Sequence, residues 1–348
     1  MRGMGDFYMQ YTIWLTYACN LKCAYCYEEE KRNLFLSKER AKQLIDFIKN
    51  RSNTYSDNNI SIVLHGGEPM LNYEVLCYIV ESLKMWDKNI SISMTTNGTL
   101  INEDNIEFIL DNINDLSISI DGTAKDHNAN RKYRDGTGSF VDTVKSIDKI
   151  LEKKGDTIAR MTVTPETVKN LYDNVKFLYD TGFKLISPII NQYDNGWSED
   201  TMAILEEQLL QLSYFCNSQA KELHIGMLEK MKNRKKSQCC PDMTLNIDAK
   251  GDIYPCVYVV GDKRFLMGNI IDGINNERLL EIKHINAKEL KQCSGCSWKD
   301  YCHGYRCKFL NFAISGEYNP GYAACRLEHV LLKTYRQCAV CEKPNIPQ

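Results

Sequence analysis

At 348 residues, with 43 Lys and Arg against 45 Asp and Glu, the chain has a formal net charge of -2, which provides no general attraction to nucleic acid or to an anionic membrane surface. No stretch approaches the roughly 20 uninterrupted apolar residues of a membrane helix, and Met1 to Gln10 lacks the apolar core of a secretory signal, so a cytoplasmic protein without nucleic-acid or membrane partners is expected. Fifteen cysteines are many for a reducing compartment, where disulfides are rare; metal or cluster ligation is the leading explanation, against scattered buried thiols.

Between Tyr11 and about Pro188, short β-branched runs alternate with longer amphipathic stretches, the rhythm of β/α units. Strands are predicted at Tyr11 to Thr16, Ile60 to Leu64, Ile90 to Thr95, Leu116 to Ile120, Ile158 to Val163 and Phe183 to Pro188. Helices are predicted over Lys38 to Asn50, Tyr73 to Met85, Asn105 to Asp111, Phe140 to Lys153 and Glu166 to Tyr179, where apolar residues recur at three- and four-residue spacing. Successive strands would run parallel through right-handed crossovers. Six such units favour an α/β fold of the partial (β/α)6 TIM-barrel kind over a closed eight-stranded barrel, with a doubly wound open sheet as the alternative.

Asn191 to Glu199 is rich in turn formers, and Thr201 to Leu223 reads as one long helix. From Ser237 onward cysteines are frequent, Gly251-Asp252 marks a hairpin turn, and helices are hard to discern before Ala324. The expected organisation is a barrel over residues 1–190, a linker and bridging helix over 191–236, and a cysteine-rich domain over 237–348.

Directly after the first strand come Cys19, Cys23 and Cys26, a CxxxCxxC loop at the carboxyl end where parallel α/β architectures bind ligands. Three thiolates hold three corners of a cubane cluster and leave its fourth iron open. A zinc knot, the alternative, normally closes with four ligands, and no His stands in the loop. With Tyr25 before the last cysteine, the loop Cys19-Asn20-Leu21-Lys22-Cys23-Ala24-Tyr25-Cys26 resembles the signature of the radical S-adenosylmethionine (SAM) superfamily. The resemblance implies a [4Fe-4S] cluster bound to three Cys and SAM, and reductive cleavage of SAM to methionine and a 5′-deoxyadenosyl radical, with an electron donor such as flavodoxin or ferredoxin.

Later strand ends carry elements in the order that family has. His65-Gly66-Gly67-Glu68-Pro69 resembles its GGEP motif, which meets the SAM amino group; glycines permit close approach to a ligand. Thr95-Thr96-Asn97-Gly98-Thr99 matches its TNG element, and Ser117-Ile118-Ser119-Ile120-Asp121-Gly122 resembles the segment that contacts SAM's ribose and carboxylate. The cofactor-binding candidates are therefore Gly66, Gly67, Glu68, Asn97, Ser119 and Asp121. Arg131 and Arg160 join them as carboxylate partners, since a guanidinium grips a carboxylate in a fork; surface ion pairs are the alternative. His65 reads as packed or hydrogen-bonded, not catalytic.

Downstream, Cys239, Cys240 and Cys256 are followed by Cys293-x2-Cys296-x5-Cys302-x4-Cys307 and then Cys325. This order resembles the SPASM domain, a C-terminal extension of radical SAM maturases that holds two auxiliary [4Fe-4S] clusters. By position, Cys293, Cys296, Cys302 and Cys325 would close one cluster, and Cys256, Cys307 and one or both of Cys239 and Cys240 the nearer one. Four residues separate Cys302 from Cys307 where three are usual. Zinc sites, making the chain a binding scaffold, are the alternative of another class. Cys77 and Cys216 sit on predicted helices as ordinary thiols, and the Cys338/Cys341 pair reads as incidental.

The resemblance implies a peptide or protein substrate. Sulfatase maturases of the family have an aspartate after the GxxxxC cysteine, but here that position is Val257, and an apolar side chain is no general base. Thioether or carbon crosslinking, or a related oxidation in a ribosomal peptide, is therefore expected ahead of formylglycine formation. The barrel pattern begins about ten residues in, so peptide recognition is expected at the barrel mouth, at the auxiliary domain or through a separate peptide-recognition protein.

Overall fold

The structure, a computed structural model, describes residues 9–28, 32–53, 59–218, 222–232 and 241–337. Cys239, Cys240, Cys338 and Cys341 lie outside the described residues. In chain order the first elements are β1 (Met9–Trp14), α1 (Lys38–Asn53), β2 (Asn59–His65), α2 (Tyr73–Lys84), β3 (Asn89–Thr96), α3 (Ile106–Asn112) and β4 (Asp115–Ser119). There follow α4 (Ala124–Asn130), α5 (Phe140–Val144), α6 (Ile147–Lys153), β5 (Ile158–Val163), α7 (Leu171–Asp180) and β6 (Leu185–Ile190). Next come α8 (Glu199–Ser218), β7 (His224–Ile225), α9 (Gly226–Lys232), β8 (Thr244–Ile247), β9 (Asp252–Tyr254), β10 (Gly268–Asn269) and β11 (Gly273–Ile274). The last are α10 (Asn276–Ala287), α11 (His303–Arg306), α12 (Lys308–Ser315) and α13 (Tyr322–Gln337). All six predicted strands are present within about two residues of their expected ends, and the architecture is the expected α/β one with parallel pairing.

Two compact units form, and neither is continuous in sequence: Met1–Lys22, Cys26–Ser117 and Cys240–Ala287 make one, and Cys23–Tyr25, Ile118–Cys239 and Lys288–Gln348 the other. In the first, β1 pairs in parallel with β2 on one side and β8 on the other, and β2 pairs in parallel with β3. Flanked on both sides, β1 is almost continuously buried, as a central parallel strand must be. Its register with β2, Met9↔Ile60 through Trp14↔His65, brings the run towards Cys19 out beside the Gly66-Gly67 turn. Helix α1 buries Ala41, Leu44, Ile45 and Ile48, the i, i+3, i+4, i+7 stripe that makes it a packed helix. The Gly251-Asp252 hairpin is present: β8 and β9 pair antiparallel, and Gly251 takes φ +88°, a conformation glycine adopts without steric cost.

In the second unit β5, β6 and β7 pair in parallel. Helix α13 lies along α8, with Arg326 to Glu199 at 2.5 Å and Lys333 to Glu206 at 2.7 Å at the rim, and Leu205, Leu209, Leu212, Val330 and Leu331 buried.

Two helix expectations are corrected. The run Phe140 to Lys153 is two short helices, α5 and α6; Val141 is 75% exposed, so the first does not continue the stripe of Ile147 and Ile150. Helices also precede Ala324 in the cysteine-rich region, namely α10, α11 and α12. Helix α10 buries only Ile282 and α11 has four residues, so neither leaves a periodic apolar signal.

Candidate metal centres

In the first unit the Cys19 segment is held by backbone. Gly67 N–H donates to Thr16 O and Glu68 N–H to Ala18 O, both at 2.9 Å. A Cβ on Gly66 would stand 2.3 Å from Thr16 O, and one on Gly67 would stand 2.3 Å from Ala18 O. The glycines of the HGGEP run thus admit the chain's own backbone, which packs the turn after β2 against the approach to Cys19.

Glu68 is 1% exposed and spends its carboxylate internally: Oε1 accepts from Thr96 Oγ1 at 2.6 Å and Met70 N–H at 3.1 Å, and Oε2 from Asn97 N–H at 2.7 Å. It ties the glycine turn to the end of β3. Asn97 then reaches the cysteine loop: its Nδ2 donates to Asn20 Oδ1 at 2.9 Å, and its Oδ1 accepts from Thr99 N–H at 3.0 Å. Asn20 closes the circuit by donating to Thr99 Oγ1 at 2.8 Å. Cys19 Sγ sits over this network, with Leu21 N–H at 3.4 Å and Asn97 Nδ2 at 4.0 Å as donors. Hydrogen bonds to sulfur favour the thiolate, the form an iron binds.

In the second unit Tyr25, between Cys23 and Cys26, donates its hydroxyl to Asp121 Oδ2. Asp121, 2% exposed, also accepts from Arg131 Nε at 3.0 Å, Arg131 Nη2 at 3.1 Å and Thr162 N–H at 2.9 Å. The Arg131 guanidinium lies 5.3 Å from the centre of the Tyr25 ring. Arg131 does grip a carboxylate in a fork, and that carboxylate is Asp121. Burial works against the Arg131 charge, but Asp121 beside it holds the guanidinium protonated, with its pKa above the usual value. Burial also pushes the Tyr25 hydroxyl well up, so it stays a donor.

Beneath the pair, His127 is fully buried; Nδ1 accepts from Asp121 N–H at 3.4 Å and Nε2 faces Ser139 Oγ at 3.0 Å, whose hydroxyl donates to Arg131 O. This arrangement requires the neutral imidazole carrying its proton on Nε2. Burial first, and then the Arg131 charge, push its pKa down to about 4. Ser119, at the end of β4, is half-buried, and its hydroxyl has no hydrogen-bond partner among the described residues. Arg160 is exposed, and its carbonyl accepts from Ile120 N–H. The His65 ring packs at a tilt of 42° against Trp14, centroids 4.4 Å apart, and meets Tyr27 Oη at 3.4 Å.

The downstream cysteines divide. Burial raises the Cys293 thiol, and so do Cys296 and Cys325; burial and Cys296 raise Cys325. Cys296 therefore lies near both Cys293 and Cys325. Cys302 caps α11, its Sγ accepting from Tyr305 N–H at 3.4 Å. A Cβ on Gly304 would be 3.6 Å from that sulfur and 3.5 Å from Ala324 Cβ, next to Cys325 in sequence. Burial raises the Cys307 thiol. Cys256, in the first unit, follows β9. Cys77 and Cys216 lie on α2 and α8. None of the described cysteines forms a disulfide. Among the described residues no three His, Cys, Asp or Glu side chains converge as the ligands of one ion would; the thiolates of a cubane bind different irons.

Sequence reading did not find Tyr17, Asp248, His127 or Thr162. Tyr17 and Thr162 act through partners remote in sequence, Tyr17 Oη donating to Asp248 Oδ2 at 3.0 Å and Thr162 N–H to Asp121 Oδ1 at 2.9 Å, and His127 through a burial that its sequence neighbours do not announce.

A family profile described as the Radical SAM superfamily matches residues 14–178, the stretch from β1 through α7 that includes all three loop cysteines and the glycine turn. The chain belongs to the radical SAM superfamily. It is an enzyme family, and the chain's relatives include maturases. A cysteine-type anaerobic sulfatase-maturating enzyme of Clostridium perfringens (strain 13 / Type A) is 26% identical over 315 residues, 82% of this chain and 85% of that one. The antilisterial bacteriocin subtilosin biosynthesis protein AlbA of Bacillus subtilis (strain 168) is 24% identical over 321 residues, 86% of this chain and 67% of that one. Among solved structures, native anSMEcpe with bound AdoMet and Kp18Cys peptide shares the fold at a TM-score of 0.79 and 21% identity, over 94% of this chain and 96% of that one. No described helix of this radical SAM protein is long and apolar enough to cross a membrane.

Proposed function

We infer that this radical SAM enzyme modifies a peptide or protein after translation, and that the product is a thioether or carbon crosslink, or a related oxidation, in a ribosomal peptide. The observation that carries the reading of the first site is the cradle of Cys19: a buried sulfur receiving N–H donors on a loop braced by the glycine turn, Glu68 and Asn97. Cys19, Cys23 and Cys26 would hold a [4Fe-4S] cluster there, which with SAM supplies one-electron cleavage of the sulfonium. Gly66, Gly67, Asn97, Ser119 and Arg160 are the residues assigned to SAM, and Glu68, Asp121 and Arg131 hold the loops that carry the cysteines.

Cys293, Cys296, Cys302 and Cys325 are assigned to one auxiliary cluster, a reading supported by the mutual influence of Cys293, Cys296 and Cys325. Cys256 and Cys307, with Cys239 or Cys240, are assigned to the nearer one, within a SPASM domain over residues 237–348 that follows the barrel of residues 1–190 and the bridge of 191–236. The cell would supply an electron donor such as flavodoxin or ferredoxin, a cytoplasmic setting and a separate peptide-recognition protein. Val257, half-buried directly after Cys256, leaves that position without a base, and this favours crosslinking. Formylglycine formation is the second reading, supported by the likeness to a sulfatase-maturating enzyme across most of both chains.

The test is anaerobic reconstitution followed by iron analysis, SAM cleavage and mass spectrometry with cysteine-bearing peptides. About 12 irons, 5′-deoxyadenosine and a product lacking two hydrogen atoms are expected. Exchange of the cysteine sulfur for oxygen would establish the second reading, and a colourless zinc protein without SAM cleavage would overturn both.

A further inference from the structure

In sequence, Tyr17 and Tyr27 stand on either side of the Cys19, Cys23 and Cys26 run, and in the first unit each reaches the segment that carries Cys256. Tyr17 is 8% exposed, and its hydroxyl donates to Asp248 Oδ2 at 3.0 Å. Asp248, 3% exposed, follows β8 and opens the turn to β9, where its Oδ1 accepts from Lys250 N–H at 2.8 Å and Asp252 N–H at 2.9 Å. One carboxylate oxygen thus shapes the turn and the other receives Tyr17. The parallel register Ile13↔Ile247 sets this turn level with the exit of β1 towards Cys19.

Beyond Cys256 there is a second attachment. The Tyr258 ring meets the Tyr27 ring edge-on, with centroids 5.4 Å apart and planes at 64°. Cys256 therefore lies in sequence between its own two points of attachment, Asp248 and Tyr258. Burying a carboxylate is costly unless its oxygens are satisfied, and here the oxygen that does not serve the turn is satisfied by Tyr17.

We propose that Tyr17 and Tyr27 are positioning residues that hold the Cys256 turn against the segments of Cys19 and Cys26, and so set the separation between the SAM-cleaving centre and the nearer auxiliary centre. This rests on the assignment of Cys256 to an auxiliary cluster. A radical generated at one centre and a substrate group held at the other meet only if that separation is fixed, since a misplacement of about 1 Å costs roughly 100-fold in rate.

The experiment uses full-length protein, reconstituted anaerobically and reduced. C256A comes first: a loss of roughly four irons establishes the auxiliary centre, whereas unchanged iron refutes the assignment and the proposal with it. Pulsed EPR then reads the interspin distance between the two reduced clusters. Y17F and Y27L are expected to keep wild-type iron and to show a longer and broader distance distribution, larger still in the double variant. Y27F, which keeps the ring on Tyr258, and D248N, which keeps the turn acceptor and offers Nδ2–H to the Tyr17 oxygen, should retain the wild-type distribution, while D248A should match Y17F. An unchanged distribution in Y17F/Y27L overturns the proposal, and so does a D248N protein as disturbed as D248A.

Discussion

Asp121 is where removing a single charge should disturb both the fold and the first cysteine loop. Its two oxygens accept four hydrogen bonds, two from the Arg131 guanidinium and one each from Thr162 N–H and Tyr25 Oη. The Arg131 and Asp121 side chains are 8% and 3% exposed. Losing one partner of such a buried pair strands the other charge in a medium that solvates it poorly, at about 3–5 kcal/mol. That is a large part of the roughly 5–15 kcal/mol by which a domain is stable. D121N and R131M are each expected to cost that amount in urea unfolding followed by circular dichroism. D121N should also weaken iron retention by the first loop, because Tyr25 lies between Cys23 and Cys26. The double variant D121N/R131M leaves neither charge stranded and should cost much less than the sum of the singles. Single variants costing under about 1 kcal/mol, or an additive double, would refute the account of this pair as a desolvated clamp.

The neutral, buried His127 makes stability pH-dependent. Its folded pKa of about 4 lies below the ordinary 6.5, so the unfolded chain takes up the proton first; stability is full above about pH 6.5 and lost towards pH 4, by roughly 3 kcal/mol for this group. H127Q should flatten that part of a pH series of thermal unfolding. A Cβ at Gly67 would meet backbone at 2.3 Å, whereas one at Gly136 meets nothing within 4 Å. G67A should therefore lose the first cluster's iron and SAM cleavage, while G136A, at φ +91°, costs only about 1 kcal/mol and keeps both. C325A should remove roughly four irons and leave 5′-deoxyadenosine formation by the first centre in place, as read by iron analysis and chromatography.

The local signals were strong where the physics is local. The β/α alternation, the CxxxCxxC loop, the glycine turn and the hairpin at Gly251-Asp252 each depend on residues within a few positions, through strand and helix periodicity, ligand spacing or a backbone conformation that suits glycine. Helix α10 was not legible, since it buries little besides Ile282 and carries no stripe.

What lay beyond the sequence is how the polar groups at the strand ends are used. Glu68, Asp121 and Arg131 carry charges that suit a bound amino acid, and from sequence they read as SAM contacts; in the fold they are consumed by Thr96, Asn97, Thr162, Tyr25 and one another. The Tyr17–Asp248 bond joins residues 231 positions apart and follows from the pairing of β8 beside β1. Whether a carboxylate faces a ligand or a neighbouring guanidinium is decided by burial. The cost of leaving a charge without a partner is set by surroundings that the chain acquires only on folding. The cysteine spacing carried the resemblance to the family, and the tertiary structure determined what holds the first loop in place.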